Sequence, residues 1–369
     1  MTIATLYNQW RAAQPLDEIL QRRIDQSFMI DFNYNSNHLE GNTLTYGQTK
    51  LLLLFGKVQG DGLMRDFEEM KAHNVGLKMM KTEALDRQRP LSESFIRELN
   101  RTILAGDFYK VSRDGSYKYK IHTGVYKTRP NSVITPAGEL FDYASPEETP
   151  ALMAELVAWY NDEEKKGELS PIELAALFHY RYIRIHPFED GNGRIARLLI
   201  NYILYRHGYP MIVILSSDRD NYLNVLGKCD SVTGREPYKG ANATLEQIKI
   251  FLDYILNYVE KKLIYINDLL EGKVRDITET VKIDDVPEIS ADNQKNKNRP
   301  SRNVPDDVPE KRQQIIVGFI KANNKVSMLE IANLLKVNHK TIKRDIKALK
   351  EKGKLERIGG DRGGYWKIN

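Results

Sequence analysis

Apolar residues recur at helical spacing along most of the chain. Their period of three to four residues places them on one face of a helix. The runs extend from Leu16 to Glu40, Leu51 to Phe55, Phe67 to Met80, Leu91 to Leu104, Leu174 to Ile185, Leu198 to Tyr205 and Leu245 to Leu270. This pattern predicts a mainly α fold, a helix bundle with short connections. The apolar stripe of the last run fits either the core of the bundle or the face of a homodimer.

One region departs from the helical pattern. Between Asp107 and Pro136, aromatic and β-branched residues alternate with polar ones and are interrupted by Pro130-Asn131. A period of two is typical of a strand, and a Pro-Asn interruption is typical of a turn. We therefore expect a small β-hairpin in this region.

The C-terminal part of the chain has the pattern of a separate domain. Residues 284–309 contain four prolines and almost no apolar periodicity, so they cannot bury enough surface to fold alone. Three helical patterns and a glycine-punctuated hairpin follow, which is the order of a winged helix-turn-helix. The predicted boundaries are 1–110 for an N-terminal helical region, 111–275 for the central core, 276–309 for a linker and 310–369 for the C-terminal domain.

The balance of charge also differs between the C-terminal domain and the rest of the chain. The 369 residues include 55 basic and 50 acidic side chains, and residues 310–369 alone hold 15 basic against 6 acidic. A basic surface confined to this domain points to a nucleic-acid partner there. No apolar run reaches the ~18 residues of a membrane span, so we expect a cytoplasmic protein without membrane contact. Cys229 is the single cysteine, which excludes an intrachain disulfide and a multi-thiolate zinc site.

The densest cluster of candidate functional residues is the segment from His186 to Arg197, hereafter the signature segment. It reads His-Pro-Phe-Glu-Asp-Gly-Asn-Gly-Arg-Ile-Ala-Arg and joins two predicted helices. A capping box at Ser170 begins the first helix, and Pro187 ends it at His186. The second helix begins at the glycines, where unpaired backbone N–H groups and the helix dipole favour an anion.

The side chains of this segment supply the remaining chemistry. Arg194 and Arg197 lie three residues apart, roughly on one helical face, and offer forked donors suited to phosphate oxygens. Asp190 offers a hard carboxylate for Mg²⁺, and His186 offers a base that titrates near neutral pH. The segment therefore predicts a polyphosphate site with a base and a metal ligand beside it.

The signature segment resembles the motif of the Fic family, His-x-Phe-x-Asp/Glu-Gly-Asn-Gly-Arg-x-x-Arg, at every specified position. The resemblance implies a Fic-type helical bundle that transfers AMP from ATP to a Ser, Thr or Tyr hydroxyl of a target protein, itself included. ATP would be the cosubstrate and Mg²⁺ the metal. It further implies His186 as the catalytic base, Asp190 as the metal ligand, and Gly191, Asn192, Gly193, Arg194 and Arg197 as the phosphate-binding residues.

A second motif resembles an inhibitory element of the same family, Ser/Thr-x-x-x-Glu-Gly/Asn. Ser36 and Glu40 stand one turn apart on the predicted helix, and Gly41 follows as its C-terminal cap. The resemblance implies that Glu40 pairs with Arg197 and occupies the group that should orient the γ-phosphate. The enzyme would then be autoinhibited by its own helix.

Two further sets of site residues are predicted from their position relative to the signature segment. Residues 124–134 of the predicted hairpin fit the place of the flap in the Fic proteins that the chain resembles, which pairs with an extended segment of the target by β-augmentation. This implies Lys127, Thr128 and Val133 as target-docking residues. An ordinary surface hairpin is the alternative. Asn221 and Tyr222 are candidates for contacts with the nucleotide base or ribose, and core packing is the alternative for them.

In the C-terminal domain, the third predicted helix is the one that would enter the major groove of DNA. The predicted DNA contacts are Lys340, Thr341, Lys343, Arg344 and Lys347 on that helix and Arg362 on the wing. Winged helices also dock proteins and mediate dimers, and this alternative stays open.

The sequence leaves several functions open. AMP addition and AMP removal would use the same residues, with Glu40 positioning water for removal. Transfer of a different phosphate-containing group is a third possibility. A protein from another class, a DNA-binding transcriptional regulator whose Fic body senses a nucleotide, is a fourth.

Overall fold

A computed structural model describes residues 2–112, 115–134, 140–273, 339–358 and 365–368, with isolated positions at 313, 316, 317, 320 and 328. Contacts divide the chain into two compact units, Met1–Asp284 and Asp285–Asn369. The predicted linker 276–309 lies outside the described residues. Across the described ranges, no helix combines the length and the apolar character that a membrane crossing requires.

The first unit is mainly α, as predicted. Its helices are α1 (Ile3–Ala12), α2 (Glu18–His38), α3 (Tyr46–Phe55), α4 (Met64–Leu85), α5 (Glu93–Ile103), α6 (Thr149–Lys166), α7 (Pro171–Ile185), α8 (Asn192–Arg206), α9 (Arg219–Thr233), α10 (Pro237–Ala241) and α11 (Lys249–Leu270). A short 3-10 helix, Ser216–Asp218, precedes α9.

Helices α7 and α8 form the centre of the bundle. The predicted capping box begins α7: the Glu173 N–H donates to Ser170 Oγ at 3.3 Å, and the Ser170 N–H donates to Glu173 Oε2 at 2.8 Å. In α8, all residues from Arg194 to Leu204 are buried. A helix that is buried on all sides belongs to a core. The turn between α7 and α8 is thus fixed at the middle of the unit.

The structure corrects the predicted single hairpin. Strand β1 (Phe108–Val111) pairs with β2 (Lys118–Ile121), and β3 (Ser132–Ile134) pairs with β4 (Leu140–Asp142), both antiparallel. Residues 122–131, expected in part to be strand, form the connection between the two hairpins. The alternating pattern located the β-structure correctly, but it did not specify which strands pair.

The end of α2 also differs from the prediction. The helix begins at an Asp17 cap and ends at His38, two residues before Glu40. Gly41 then adopts φ +94°, a left-handed conformation that glycine tolerates without strain. Glu40 therefore projects from the turn that follows α2 and not from the helix itself.

Helix α11 closes the bundle against α1, α7 and α9. Its apolar stripe, which includes Phe251, Ile255, Val259 and Leu263, is fully buried in the main core. The structure thus assigns this stripe to the core of the first unit.

In the second unit the structure describes helix α12 (His339–Glu351) and the antiparallel pair β5 (Leu355–Ile358) and β6 (Tyr365–Ile368). They share a small core with the first part of the domain: Ile316, Ile320, Ile342, Ile346, Leu349, Leu355 and Trp366. The third helix and the β-hairpin of the predicted winged helix-turn-helix are found in the structure. Apart from isolated positions, the two preceding helices lie outside the described residues.

Candidate active site

The turn between α7 and α8 brings the signature residues together. His186 ends α7 in a left-handed conformation, φ +52°, and its N–H donates to the Tyr182 carbonyl. Asn192 fixes the turn from inside, since its side chain accepts from the Phe188 N–H at 3.0 Å and donates to the Phe188 carbonyl at 2.7 Å. The Phe188 ring is buried. His186 and the start of α8 thus lie at the two ends of one short turn, residues 187–191.

Two residues from outside the signature segment hold His186. The Tyr143 ring stacks on the imidazole with 4.0 Å between ring centroids and 13° between planes. The Lys127 ammonium donates to the carbonyls of Ile185 and His186, at 3.0 and 2.9 Å. Burial lowers the pKa of His186 to about 4, and the Lys127 charge acts in the same direction. His186 is therefore neutral at pH 7, the form that accepts a proton.

The start of α8 has the features of an anion site. Gly191 is its N-cap at φ +82°, and no side chain caps the first N–H groups. Arg194 is buried, and its Nε and Nη1 have no hydrogen-bond partner among the described residues. Its nearest acidic atoms are Asp190 Oδ1 at 3.5 Å and Glu69 Oε2 at 3.7 Å. Unpaired backbone and guanidinium donors therefore converge at one helix end.

Residues of the predicted inhibitory motif contact Arg197. The Arg197 Nε donates to Ser36 Oγ at 3.1 Å, and Nη2 donates to the Ser36 carbonyl at 2.8 Å and to Glu40 Oε1 at 2.7 Å. Burial acts to raise the pKa of Glu40, but the charge and hydrogen bond of Arg197 outweigh it and hold that pKa below its usual value. A Cβ built on Gly193 would collide with Glu40 Oε1. A carboxylate thus occupies the anion site.

Asp190, the predicted metal ligand, is paired with nitrogen donors. Its Oδ2 lies 2.6 Å from Lys110 Nζ, and its Oδ1 accepts from the Gly191 N–H at 2.6 Å. Burial acts to raise its pKa, but the charges of Lys110 and Arg194 hold the pKa below its usual value, so Asp190 is ionised. No group of three or more His, Cys, Asp or Glu suited to a metal occurs among the residues that the structure describes.

The predicted target-docking residues differ in their surroundings in the structure. The Lys127 side chain is buried and also donates to Asn131 Oδ1 at 2.8 Å, so it cannot face a target as predicted. A charge with three oxygen acceptors at the end of a helix is a structural group. Thr128 is exposed and donates to Glu189. Val133 lies on β3, opposite Phe141 of β4.

The two candidates for contacts with the nucleotide base or ribose also differ in their surroundings. Tyr222 is buried, and its hydroxyl lies 2.8 Å from His179 Nε2 in the core, so the packing interpretation holds for its side chain. Asn221 is the preceding residue on α9 and is exposed. Helical neighbours point in different directions, which is why one is buried while the other faces solvent.

The predicted DNA contacts fall partly outside the described side chains. On α12, Lys343, Arg344 and Lys347 are exposed, while Ile342 and Ile346 face the core. Lys340 and Thr341 lie on the first turn of α12, and Arg362 lies outside the described residues. The basic residues and the core residues of α12 thus lie on different faces of an amphipathic helix.

Known proteins are similar to this chain in sequence and fold. Residues 90–204 match the Fic/DOC family and residues 312–365 match the DeoR-like helix-turn-helix domain. A solved Fic domain containing signaling protein from Bacteroides thetaiotaomicron is 57% identical with a TM-score of 0.71, and the match covers 76% of this chain and 99% of that one. The chain therefore belongs to the Fic/DOC family.

Curated relatives carry the name protein adenylyltransferase fic-1. The protein from Caenorhabditis briggsae is 30% identical over 60% of this chain and 40% of its own length. The protein from Caenorhabditis elegans is 30% identical over 55% of this chain and 37% of its length. A solved fragment of Caenorhabditis elegans Fic-1 is 26% identical with a TM-score of 0.55 and covers 71% of this chain and 68% of the fragment. The chain spans about two fifths of the length of these curated relatives.

Sequence reasoning missed the residues that position the signature side chains. Lys110 and Tyr143 lie far from the segment in sequence, on β1 and directly after β4, and local patterns carry no sign of their partners. Arg129 was missed as well: it binds Glu189 Oε2 through Nη2 at 2.7 Å. The excess of lysine and tyrosine over 109–120 was the one available signal.

We expect Lys127→Met to destabilise the first unit by about 1–3 kcal/mol, because three oxygen acceptors lose their donor. Lys118→Met, the same change at an exposed residue of β2, should stay within about 0.5 kcal/mol of the wild type. Urea denaturation followed by circular dichroism measures both. Equal stability of the two variants would contradict the structural role of Lys127.

Proposed function

We propose that the protein transfers AMP from ATP to a hydroxyl group of a target protein and that Glu40 holds this activity off. One observation carries the proposal: a short turn, residues 187–191, joins a neutral His186 to a helix start without a side-chain cap, and this start carries two buried arginines. This places a base beside a polyphosphate site. The names of the curated relatives support the same reaction class.

The reaction balances without a covalent enzyme intermediate. The target oxygen attacks the α-phosphorus and forms a new O–P bond, while the bond from the α-phosphorus to the β-bridging oxygen breaks and pyrophosphate leaves. His186 takes the hydroxyl proton. Because His186 is fixed by Tyr143 and Lys127, its position is set before substrates arrive, which lowers the cost of orienting them.

The residues at the start of α8 fit the phosphates of ATP. Among the described residues, no side chain caps the start of α8 and Arg194 Nε and Nη1 lack a hydrogen-bond partner, while Arg197 already binds a carboxylate there. A carboxylate at this place stands in for a phosphate oxygen. Asp190 fits Mg²⁺, which proteins bind through one or two carboxylates together with substrate phosphates, and the metal would neutralise phosphate charge.

The β3–β4 hairpin supports binding of a protein target. The residues that flank the hairpin contact the signature segment, because Asn131 donates to the Phe188 carbonyl at 3.1 Å and Tyr143 stacks on His186. An extended target segment beside β3 would bring a Ser, Thr or Tyr hydroxyl towards the imidazole. Thr128 and Val133 are the docking positions we retain, and Lys127 is removed from them.

Glu40→Gly should raise labelling from α-labelled ATP roughly tenfold or more. If the Glu40 carboxylate weakens the binding of the γ-phosphate to Arg197 by about 1.4 kcal/mol, its removal raises that binding by a factor of ten. The reason is that Arg197 then lacks its carboxylate partner and is free for the γ-phosphate. The measurement is label transferred to the protein itself and to a cell lysate, in the presence of Mg²⁺.

The control is Glu40→Gly combined with His186→Ala, which should return the label to background. A Glu40→Gly protein that binds ATP but labels nothing would overturn AMP addition. In that case, release of AMP from labelled protein by the wild type but not by Glu40→Gly would establish AMP removal.

The pH profile tests His186 as the base. With a pKa of about 4, His186 stays neutral at pH 6, so kcat/KM of Glu40→Gly should be nearly the same at pH 6 and pH 7.5. An ordinary histidine would retain only about a quarter of the value at pH 6, because its pKa lies near 6.5. A fall of that size would contradict the buried, neutral imidazole.

We also propose that the second unit binds DNA through α12. The exposed Lys343, Arg344 and Lys347 lie opposite the core face of that helix, and the DeoR-like match covers this region. A basic helix of this kind binds phosphates along the major groove. Binding of DNA would give the Fic unit a location or a regulator.

Lys343→Ala with Arg344→Ala should weaken DNA binding about uniformly across sequences and reduce its salt slope by roughly two. The measurement is a gel shift of a promoter-length duplex at graded salt concentrations. Lys228→Ala with Lys261→Ala, which removes the same charge from exposed sites in the first unit, is the matched control. Equal effects of the two double variants would overturn DNA binding through α12.

A further inference from the structure

The β1–β2 hairpin places a lysine on the proposed metal ligand. Lys110 Nζ lies 2.6 Å from Asp190 Oδ2, with about a third of the lysine side chain exposed. The other carboxylate oxygen accepts from the Gly191 N–H and lies 3.5 Å from Arg194 Nη2. Nitrogen donors thus face both oxygens of Asp190.

The alternation of the hairpin determines which lysine reaches Asp190. In β1, Phe108 and Lys110 are half-buried, while Tyr109 and Val111 are exposed. The opposite strand places Tyr119 across from Lys110 and leaves Lys118 exposed. Lys110 therefore belongs to the inner face of the hairpin.

A second contact holds the hairpin against the signature segment. Arg129 donates from Nη2 to the Lys120 carbonyl at 2.9 Å and to Glu189 Oε2 at 2.7 Å, and its guanidinium lies 4.2 Å from the centre of the Tyr119 ring. One arginine thus joins β2 to the residue beside Asp190. The position of Lys110 is accordingly built into the fold and is not the chance placement of a surface lysine.

We propose that Lys110 is an internal counter-ion of Asp190 that a divalent cation must replace when nucleotide binds. The inference rests on the proposed function. An ammonium within hydrogen-bond distance of Oδ2 occupies the direction in which that oxygen would coordinate Mg²⁺. Two cations on one carboxylate oxygen repel each other, so metal binding requires Lys110 to move away.

Lys110 then has opposite effects on the two forms of the site. Without metal it neutralises Asp190, which would otherwise repel the polyphosphate of the nucleotide. With metal it competes for the same carboxylate and raises the Mg²⁺ concentration that nucleotide binding requires. Lys110 is a positioning residue in this role, since it acts through Asp190.

The test is titration calorimetry with α,β-methylene ATP, which cannot donate AMP, in the Glu40→Gly background. Free Mg²⁺ is varied from a chelated solution upwards. Lys110→Met should lower the Mg²⁺ concentration at half-maximal binding roughly two- to fivefold and should weaken metal-free binding by a similar factor. Lys110→Arg should restore the parent behaviour, and Lys118→Met on the same hairpin should leave it unchanged.

A double-mutant cycle identifies the route of the effect. In an Asp190→Asn background, Lys110→Met should have no further effect on Mg²⁺ dependence, because the two residues act as one pair. Weaker binding of Lys110→Met by one factor at every Mg²⁺ concentration would overturn the proposal, because Lys110 would then contact the nucleotide itself. A Lys110→Met variant that binds the analogue with the same Mg²⁺ dependence as Lys118→Met would also overturn the proposal.

The experiment separates this inference from the proposed function. If Glu40→Gly does not bind the analogue at all, the proposed function is rejected together with the inference. If Glu40→Gly binds the analogue but Lys110→Met does not show the two opposite effects on metal-free binding and on Mg²⁺ dependence, the inference alone is rejected.

Discussion

The buried guanidinium of Arg197 requires a partner in every state of the protein. Only 4% of its side chain is exposed, and an unpaired charge at such a site is strongly unfavourable. In this structure α2 and the turn after it supply the partners, through Ser36 and Glu40. A phosphate of ATP could take the place of the carboxylate. On the proposed function one anion would replace another, so the states with Glu40 and with phosphate on Arg197 would lie close in free energy, which is the condition for a switch.

The packing of α2 suits such an exchange. Its C-terminal half buries three asparagines, Asn33, Asn35 and Asn37, whose amides donate to backbone carbonyls four residues earlier. Asn35 also accepts from the Ser216 N–H at 2.8 Å. Polar contacts of this kind can be exchanged with water at a smaller net cost than the apolar packing that surrounds α8. The segment that carries Glu40 therefore adds these polar contacts to the core packing of Phe28, Phe32 and Leu39.

The sequence predicted what depends on local signals. The capping box of α7, the stop at His186 and the glycine start of α8 are set by neighbouring residues, and all three are found in the structure. The pairing of the β-strands was wrong, because four short strands of similar pattern permit several registers. Lys127 and Tyr222 were assigned to binding because their tertiary surroundings were unknown. Lys110 and Tyr143 were missed because they approach the signature segment only after folding, across 80 and 43 residues of chain.

Three ion pairs on the signature segment share one arrangement. Arg197 pairs with Glu40 from the turn after α2, Asp190 with Lys110 from β1, and Glu189 with Arg129 from the connection before β3. Each partner comes from outside the segment, so side chains from other elements of the fold balance the charges of the segment. On the proposed function, ATP would replace the carboxylate of Glu40 while Mg²⁺ would replace the ammonium of Lys110. Replacing Glu40 by ATP adds negative charge and replacing Lys110 by Mg²⁺ adds positive charge, so each exchange offsets part of the charge that the other brings into a medium of low dielectric constant. Entry of nucleotide and of metal should therefore be coupled by electrostatics, even though the two groups that they displace lie on different elements of the fold.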